Sequence, residues 1–85
     1  MEILDTSVKG LKLIVDDTKA TYTMNGNELF MDGEWASGEA WINDTWYSYE
    51  RVDGMVVFED SEGVERFTFA DSEDSWDAFA AQVLA

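Results

Sequence analysis

Carboxylates dominate the side chains of this sequence that could do chemistry. Nineteen of its 85 residues are Asp or Glu, five are Lys or Arg, and His and Cys are absent. This inventory excludes Ser-His-Asp and Cys-His nucleophile systems, and zinc sites built on the usual ligands. Paired carboxylates could hydrolyse a glycosidic bond, but a chain this short can hardly enclose such a substrate. We therefore expect no enzymatic activity and no cofactor.

Oxygen ligands for calcium are plentiful, but the loop that would arrange them is absent from the sequence. The alternating Asp-x-Asx-x-Asx-Gly pattern closed by Glu does not occur. The acidic segments 60–63 and 71–74 are shorter, and they fit a turn and a helix cap. We therefore predict no dedicated metal site.

The net charge of −14 is the most informative property of the chain. It destabilises a compact state by self-repulsion, and a soluble small domain needs a charge of only about 2–8. Fifteen acidic and two basic residues lie in segment 20–85, so the charge belongs to the body of the chain. Direct binding to nucleic acid or to an anionic membrane is disfavoured, because both present phosphates. The charge indicates a basic protein partner or adaptation to high salt.

A rigid acidic surface can offer a DNA-binding protein carboxylates in place of phosphates. Alternate residues of a strand stand roughly 6.5–7 Å apart, close to the spacing of phosphates along a nucleic-acid strand. Exposed aromatic residues would then act as anchors, and Trp35 and Tyr49 are the candidates. The candidate carboxylates are Glu28, Asp32, Glu34, Glu39, Asp53, Glu59, Asp60, Glu62, Glu65, Glu73, Asp74 and Asp77.

A dense aromatic run has two interpretations, a binding platform or part of the core. Alternation along a strand places Trp46 on the face opposite Tyr47 and Tyr49, so one side of the run could be exposed. The core is the favoured interpretation, because a small domain needs large side chains to close it. The run comprises Trp35, Trp41, Trp46, Tyr47 and Tyr49.

Turn signals at short intervals position these side chains on a series of strands. Dipeptides such as Asn25-Gly26 and Asp53-Gly54 supply the positive φ angles of tight hairpins. Short connections favour antiparallel neighbours, and Gly38 is expected to mark a bulge or bend. The candidate strands are 11–15, 20–24, 28–31, 34–42, 46–52, 55–60 and 64–70.

The chain ends in a segment with helical periodicity. Trp76, Phe79, Ala80, Val83 and Leu84 form one apolar stripe, after a possible cap at residue 71 or 72. We predict a single α+β domain over residues 1–85, an antiparallel meander of five to seven strands with this helix packed on one face. Residues 1–8 could be a strand, a helical turn or a loose arm.

In size, charge and lack of catalytic residues, the whole chain resembles small acidic inhibitors that bacteriophages make against host enzymes. These are nucleic-acid mimics of the anti-CRISPR and anti-restriction type. The resemblance implies a non-enzymatic inhibitor that occupies the basic DNA- or RNA-binding groove of a host defence or nucleic-acid-processing complex. Such an inhibitor would work in the cytoplasm, as a monomer or a homodimer. No targeting signal or membrane span is apparent in the sequence.

Segment 56–83 contains three short patterns, Val57-x-x-Asp60-Ser61, Phe67-x-Phe69 and Trp76-x-Ala78-Phe79 with Val83. In these patterns it is similar to a family of small actinobacterial proteins encoded beside helix-turn-helix regulators. Glu59 and Glu62 stand where that family usually has Arg and Lys, and its amino-terminal Trp-x-Lys-Ser-Ser-Tyr pattern is absent. The similarity implies a protein-binding regulatory module that partners such a regulator. A salt-adapted acidic domain is the third alternative.

Overall fold

A computed structural model describes residues 1–34 and 36–85. Within these residues, eight strands are followed by one helix, α1 (Glu73–Val83). Each strand pairs antiparallel with the next, so the order in the sheet equals the order in the sequence. The predicted α+β meander with a carboxy-terminal helix is confirmed, with eight strands in place of the expected five to seven. The strands are β1 (Glu2–Asp5), β2 (Lys12–Asp16), β3 (Lys19–Met24), β4 (Asn27–Gly33), β5 (Ser37–Ile42), β6 (Thr45–Val52), β7 (Met55–Glu59) and β8 (Glu65–Ala70).

The eighth strand comes from the amino-terminal residues, for which the sequence left three alternatives open. β1 pairs with β2, and Ile3 lies directly opposite Ile14. At the β3–β4 and β6–β7 turns, the central residues have positive φ angles. These angles are 54° and 78° at Asn25 and Gly26, and 52° and 76° at Asp53 and Gly54. Such two-residue turns match the twist of the flanking strands, which explains why the chain forms a meander.

One face of the sheet forms the core together with α1. Phe58 on β7 is fully buried at its centre, 4.9 Å from the ring centroid of Phe79 and 5.6 Å from that of Tyr49. The predicted apolar stripe of α1 is confirmed, since Trp76, Phe79 and Ala80 are all buried against this face. Because each large ring buries roughly 150–250 Å² when enclosed, aromatic packing contributes much of the stability of this short chain.

Elements from both ends of the meander contact α1. On β8, the Phe69 ring stacks on Phe79 with 4.4 Å between the centroids. The side-chain amide of Asn27, in the β3–β4 hairpin, donates to the backbone oxygen of Leu84 at 3.0 Å. Ser7, between β1 and β2, donates to Asp77. The hydroxyl of Ser72 accepts from the backbone N–H of Ser75 and caps the helix. Among the described residues, no helix is both long and apolar enough to span a bilayer.

Gly38 pairs directly with Gly33, and the register of β4 and β5 continues through this pair without a bulge. The expected bulge is therefore wrong. A Cβ atom at Gly38 would lie 2.7 Å from the Cα atom of Gly33 and 2.8 Å from the hydroxyl oxygen of Tyr49. Glycine is required here because the end of the Tyr49 side chain occupies the space of two missing side chains.

Candidate functional site

The strand register aligns carboxylates on the outer face of the sheet, the face turned away from α1. Side chains of directly opposed residues lie on the same face. We call Asp16, Asp32, Glu39 and Glu59 the acidic row. At β8 the row is extended by Glu65, which opposes Glu59 beside a bulge. The register partners, in order from β2 to β7, are Asp16, Lys19, Asp32, Glu39, Ser48 and Glu59.

The spacing of the acidic row suits several separate cations. Adjacent strands lie about 4.7–4.9 Å apart, so neighbouring carboxylates of the row stand one or two strand spacings from each other. Within the described part of the chain, no group of three or more Asp or Glu residues is arranged to hold a metal ion. Lys and Arg side chains of a protein partner fit this arrangement better than a bound metal.

The chain's own cations neutralise only one half of the acidic row. The Lys19 ammonium lies 3.9 Å from an Asp32 oxygen, and the terminal amine lies 4.0 Å from Asp16. Surface pairs of this kind are weak and are screened by salt. Among the ion pairs of the described residues, none involves Glu39 or Glu59. Within the described part of the chain, the half of the row on β5–β7 is therefore not paired with a cation.

A shallow depression of about 360 Å³ lies in this uncompensated half. Glu39, Glu50 and Glu59 line it from three adjacent strands, and the hydroxyl-bearing Ser37 and Ser48 lie between them. Carboxylates accept short, strong hydrogen bonds from guanidinium and ammonium groups. The depression therefore has the size and chemistry to receive an Arg or Lys side chain.

An aromatic row runs beside the acidic row on the same face. We use this name for Phe30, Trp41 and Trp46, which oppose one another in register on β4, β5 and β6. On its strand, each of these rings is two residues from Asp32, Glu39 or Ser48, which is a distance of roughly 6.5–7 Å along the backbone. All three side chains are partly exposed, and the ring centroids of Phe30 and Trp41 are 5.7 Å apart. The outer face thus combines charge with aromatic surface.

Two of the residues predicted to bind a partner are buried instead. Tyr49 is 9% exposed and stacks on Phe58, so its expected role as an exposed anchor is wrong. Asp77 is 4% exposed, and its carboxylate accepts two hydrogen bonds from Ser7. The expectation that Asp77 belongs to an acidic surface is wrong, because position 77 shares a helix face with the buried Ala80. Trp35 lies outside the described residues.

Asp60 organises a turn at the end of β7. Its carboxylate accepts from the backbone N–H groups of Glu62 and Val64 and from the Arg66 guanidinium. The backbone hydrogen bond from Val64, followed by the one from Arg66, holds the pKa of Asp60 below its usual range. Asp60 therefore has a structural role in this loop, and Glu62 beside it stays exposed.

The other predicted carboxylates are exposed but lie in different parts of the molecule. Glu34 follows β4, Asp53 is in the β6–β7 turn, and Glu73 and Asp74 form the first turn of α1. The structure brings Glu34 and Glu73 to one cleft, whereas Glu39 and Glu59 belong to the acidic row. Asp16 and Glu50 were missed as candidates. The signal that could have revealed Glu50 is the alternation along β6. It places Trp46, Ser48 and Glu50 on one face and Tyr49 on the other.

The cleft that contains Glu34 and Glu73 has a volume of about 580 Å³ and lies between β2–β4 and the start of α1. Two cations, Lys19 and Arg51, line it. Arg51 lies 3.5 Å from Asp71 and sits over the Trp76 ring, 5.4 Å from the centroid. Burial, and then the nearby Asp77 carboxylate, raise the pKa of the Tyr22 phenol that lines it. Arg51 thus has partners within the chain, and Tyr22 stays neutral near pH 7.

Comparisons of the chain with protein-family models, curated proteins and solved structures find no match. The function must therefore be inferred from the geometry and charge of the chain itself.

Proposed function

We propose that this protein is a non-enzymatic inhibitor that acts as a nucleic-acid mimic in the cytoplasm. Its outer face would occupy the basic DNA- or RNA-binding groove of a host defence or nucleic-acid-processing complex. The observation that carries this proposal is the acidic row, whose four carboxylates are aligned by the register of six consecutive strands. A rigid sheet holds these charges in place, so a partner does not have to order them on binding.

The charge distribution favours fast and salt-sensitive association with a basic partner. Net negative charge steers a positively charged groove towards the protein over a long range. On contact, the uncompensated Glu39, Glu50 and Glu59 would each meet a Lys or Arg that otherwise contacts a phosphate. The physical basis of the proposed inhibition is that the carboxylates of the row, one or two strand spacings apart, occupy Lys and Arg side chains that otherwise bind phosphates.

The aromatic row favours mimicry over adaptation to high salt. Salt adaptation requires a high density of carboxylates, but it gives no reason for Phe30, Trp41 and Trp46 to share a face with them. Aromatic residues are enriched where proteins bind other proteins and act there as anchors. Their presence beside the acidic row supports a protein-binding face.

The proposal is tested by immobilising the protein, passing a bacterial lysate over it, and washing with rising salt. The retained proteins are identified by mass spectrometry, and displacement by the target's own nucleic acid is measured. The test variant Asp32→Asn/Glu39→Gln/Glu59→Gln removes three charges of the outer face. The matched control, Glu2→Gln/Glu73→Gln/Asp74→Asn, removes three exposed charges from the α1 side of the sheet and has the same net charge.

We expect the test variant to bind the target about 100-fold more weakly, because three charged contacts of at least about 1 kcal/mol each are lost. The control should bind within about threefold of the parent, since only long-range steering changes. Equal effects of the two variants would show that net charge acts without the acidic row. A target that stays bound at high salt and is not displaced by nucleic acid would contradict mimicry and favour a regulatory module.

A further inference from the structure

The aromatic row has carboxylates on both of its sides. On the side away from the acidic row, the register partners across β1–β4 are Asp5, Lys12, Thr23 and Glu28. Lys12 forms an ion pair with Asp5. The β5–β6 turn, which hydrogen-bonds to Glu28, adds the exposed Asp44 to this side. The outer face therefore consists of a strip of aromatic side chains between the acidic row and a second edge that carries Glu28, Asp44 and the Asp5–Lys12 pair.

Single-stranded and double-stranded nucleic acids present different surfaces. A single strand has one phosphate backbone with unstacked bases beside it, and its binding proteins combine a positive groove with aromatic side chains that stack on those bases. A duplex has two phosphate strands on either side of each groove, and its base faces are stacked inside. The outer face, on which partly exposed rings lie beside carboxylates, corresponds to the single strand.

The core does not account for the aromatic row. The residues that pack around α1 come from the opposite face of the sheet, for example Leu29, Ala40 and Tyr49. Phe30 and Trp41 alternate with these core residues along β4 and β5, and therefore point to the outer side. The rings are held in place by the strands and remain partly exposed. This is the arrangement that a stacking surface requires.

We infer that the outer face docks into the groove of a protein that binds single-stranded DNA or RNA. This inference rests on the proposed function and specifies its partner. The acidic row would contact the Lys and Arg side chains that normally receive phosphates. The rings of Phe30, Trp41 and Trp46 would stack on the aromatic side chains that normally receive bases. Charge complementarity selects the basic groove, and the rings select a groove built for unstacked bases.

The test is a displacement titration on the protein retained from the lysate. The competitors are oligothymidine and oligouridine of about 20 nucleotides, a length that covers a typical single-strand site, and a DNA duplex with the same number of phosphates. Because the charge of the competitors is matched, a difference between them reports the form of the nucleic acid. We expect a single strand to displace the partner at a concentration at least about tenfold lower than the duplex.

Two variants separate stacking from general apolar contact. Trp41→Ala/Trp46→Ala should weaken binding about tenfold or more, since each stack on an aromatic side chain contributes substantially to single-strand recognition. Trp41→Phe/Trp46→Phe should restore most of the affinity, because the ring face is kept. The control Leu4→Ala/Val64→Ala truncates side chains that are 38% and 47% exposed, on the core side of β1 and in the β7–β8 connection, and should leave binding unchanged. Circular dichroism checks that all variants are folded.

The outcomes distinguish this inference from the proposed function. Displacement by the duplex at an equal or lower concentration overturns the single-strand inference and leaves mimicry intact. Unchanged binding of the folded Trp41→Ala/Trp46→Ala variant overturns it as well. Two outcomes overturn the proposed function itself. In the first, none of the nucleic acids displaces the partner. In the second, the parent protein retains the same lysate proteins as the acidic-row variant.

Discussion

Replacement of Asp77 by Ala should destabilise the fold, because this carboxylate joins the two ends of the chain. Its Oδ2 atom accepts hydrogen bonds from the backbone N–H and from the hydroxyl of Ser7, both at 3.0 Å. Ser7 lies between β1 and β2, whereas Asp77 lies on α1 and is almost fully buried. Without the carboxylate, the N–H group of Ser7 loses its acceptor in a partly buried environment.

The size of the effect follows from the two hydrogen bonds. A bond to a charged acceptor contributes about 1.5–3 kcal/mol to stability, and two bonds that share one oxygen are not independent. We therefore expect Asp77→Ala to lower the free energy of unfolding by about 3 kcal/mol. A domain of this length has a total of about 4–13 kcal/mol. The corresponding decrease in Tm is about 12–24 °C.

Urea unfolding followed by tryptophan fluorescence measures this change. The matched control is Asp74→Ala, which removes an exposed carboxylate from the first turn of the same helix. It should cost less than about 1 kcal/mol, because it loses only the interaction with the helix dipole. Asp77→Asn keeps an acceptor oxygen and should fall between the two variants.

An unfolding free energy of Asp77→Ala within about 0.5 kcal/mol of the parent would refute this reasoning. An equal cost of Asp74→Ala would do the same, since the effect would then come from helix charge. The partner-retention assay gives an independent check. Folded Asp77→Asn should bind like the parent, because the buried carboxylate is not available to a partner.

Two further predictions concern the glycine pair and the pH dependence. Gly38→Ala should lower the free energy of unfolding by about 1–3 kcal/mol, because the new Cβ atom would lie 2.7 Å from the Cα atom of Gly33. A change of rotamer cannot relieve a clash with the backbone. Thermal unfolding measures the effect, and an unchanged Tm would contradict the close packing. The hydrogen bonds from the Val64 N–H and then from Arg66 lower the pKa of Asp60 in the folded state. The ionised carboxylate therefore stabilises the fold above the unfolded-state pKa of about 4. This stabilisation is lost as the pH falls through the lower folded-state pKa. Asp60→Asn should therefore reduce the acid sensitivity of unfolding below pH 4, and a parallel stability profile would refute the assignment.

Local sequence signals were sufficient for most of the fold. The Asn25-Gly26 and Asp53-Gly54 turns require positive φ angles that few other residues adopt without strain, so the hairpins could be predicted from neighbouring residues alone. The 3.6-residue periodicity that starts at Trp76 likewise predicted the helix and its buried face. β1 was ambiguous, because a short edge strand with exposed side chains lacks a clear pattern.

The buried Asp77 and Tyr49 were misassigned because their environments depend on distant residues. Ser7 satisfies Asp77 across 70 positions of sequence, and Gly33 and Gly38 make room for the Tyr49 hydroxyl. A carboxylate is stable inside a protein only when such partners are present. Its type and local spacing alone therefore do not show whether it faces solvent.

The sequence by itself determined the net charge, the absence of His and Cys for catalysis, and which residues of a strand share a face. Tertiary structure decided which carboxylates stand together. Asp16, Asp32, Glu39 and Glu59 are scattered along the chain, and they align only because each strand pairs with the next in one register. A slip of one residue would move a strand's side chains to the opposite face. The core packing around α1 prevents that slip, and so it also positions the candidate binding face on the other side of the sheet.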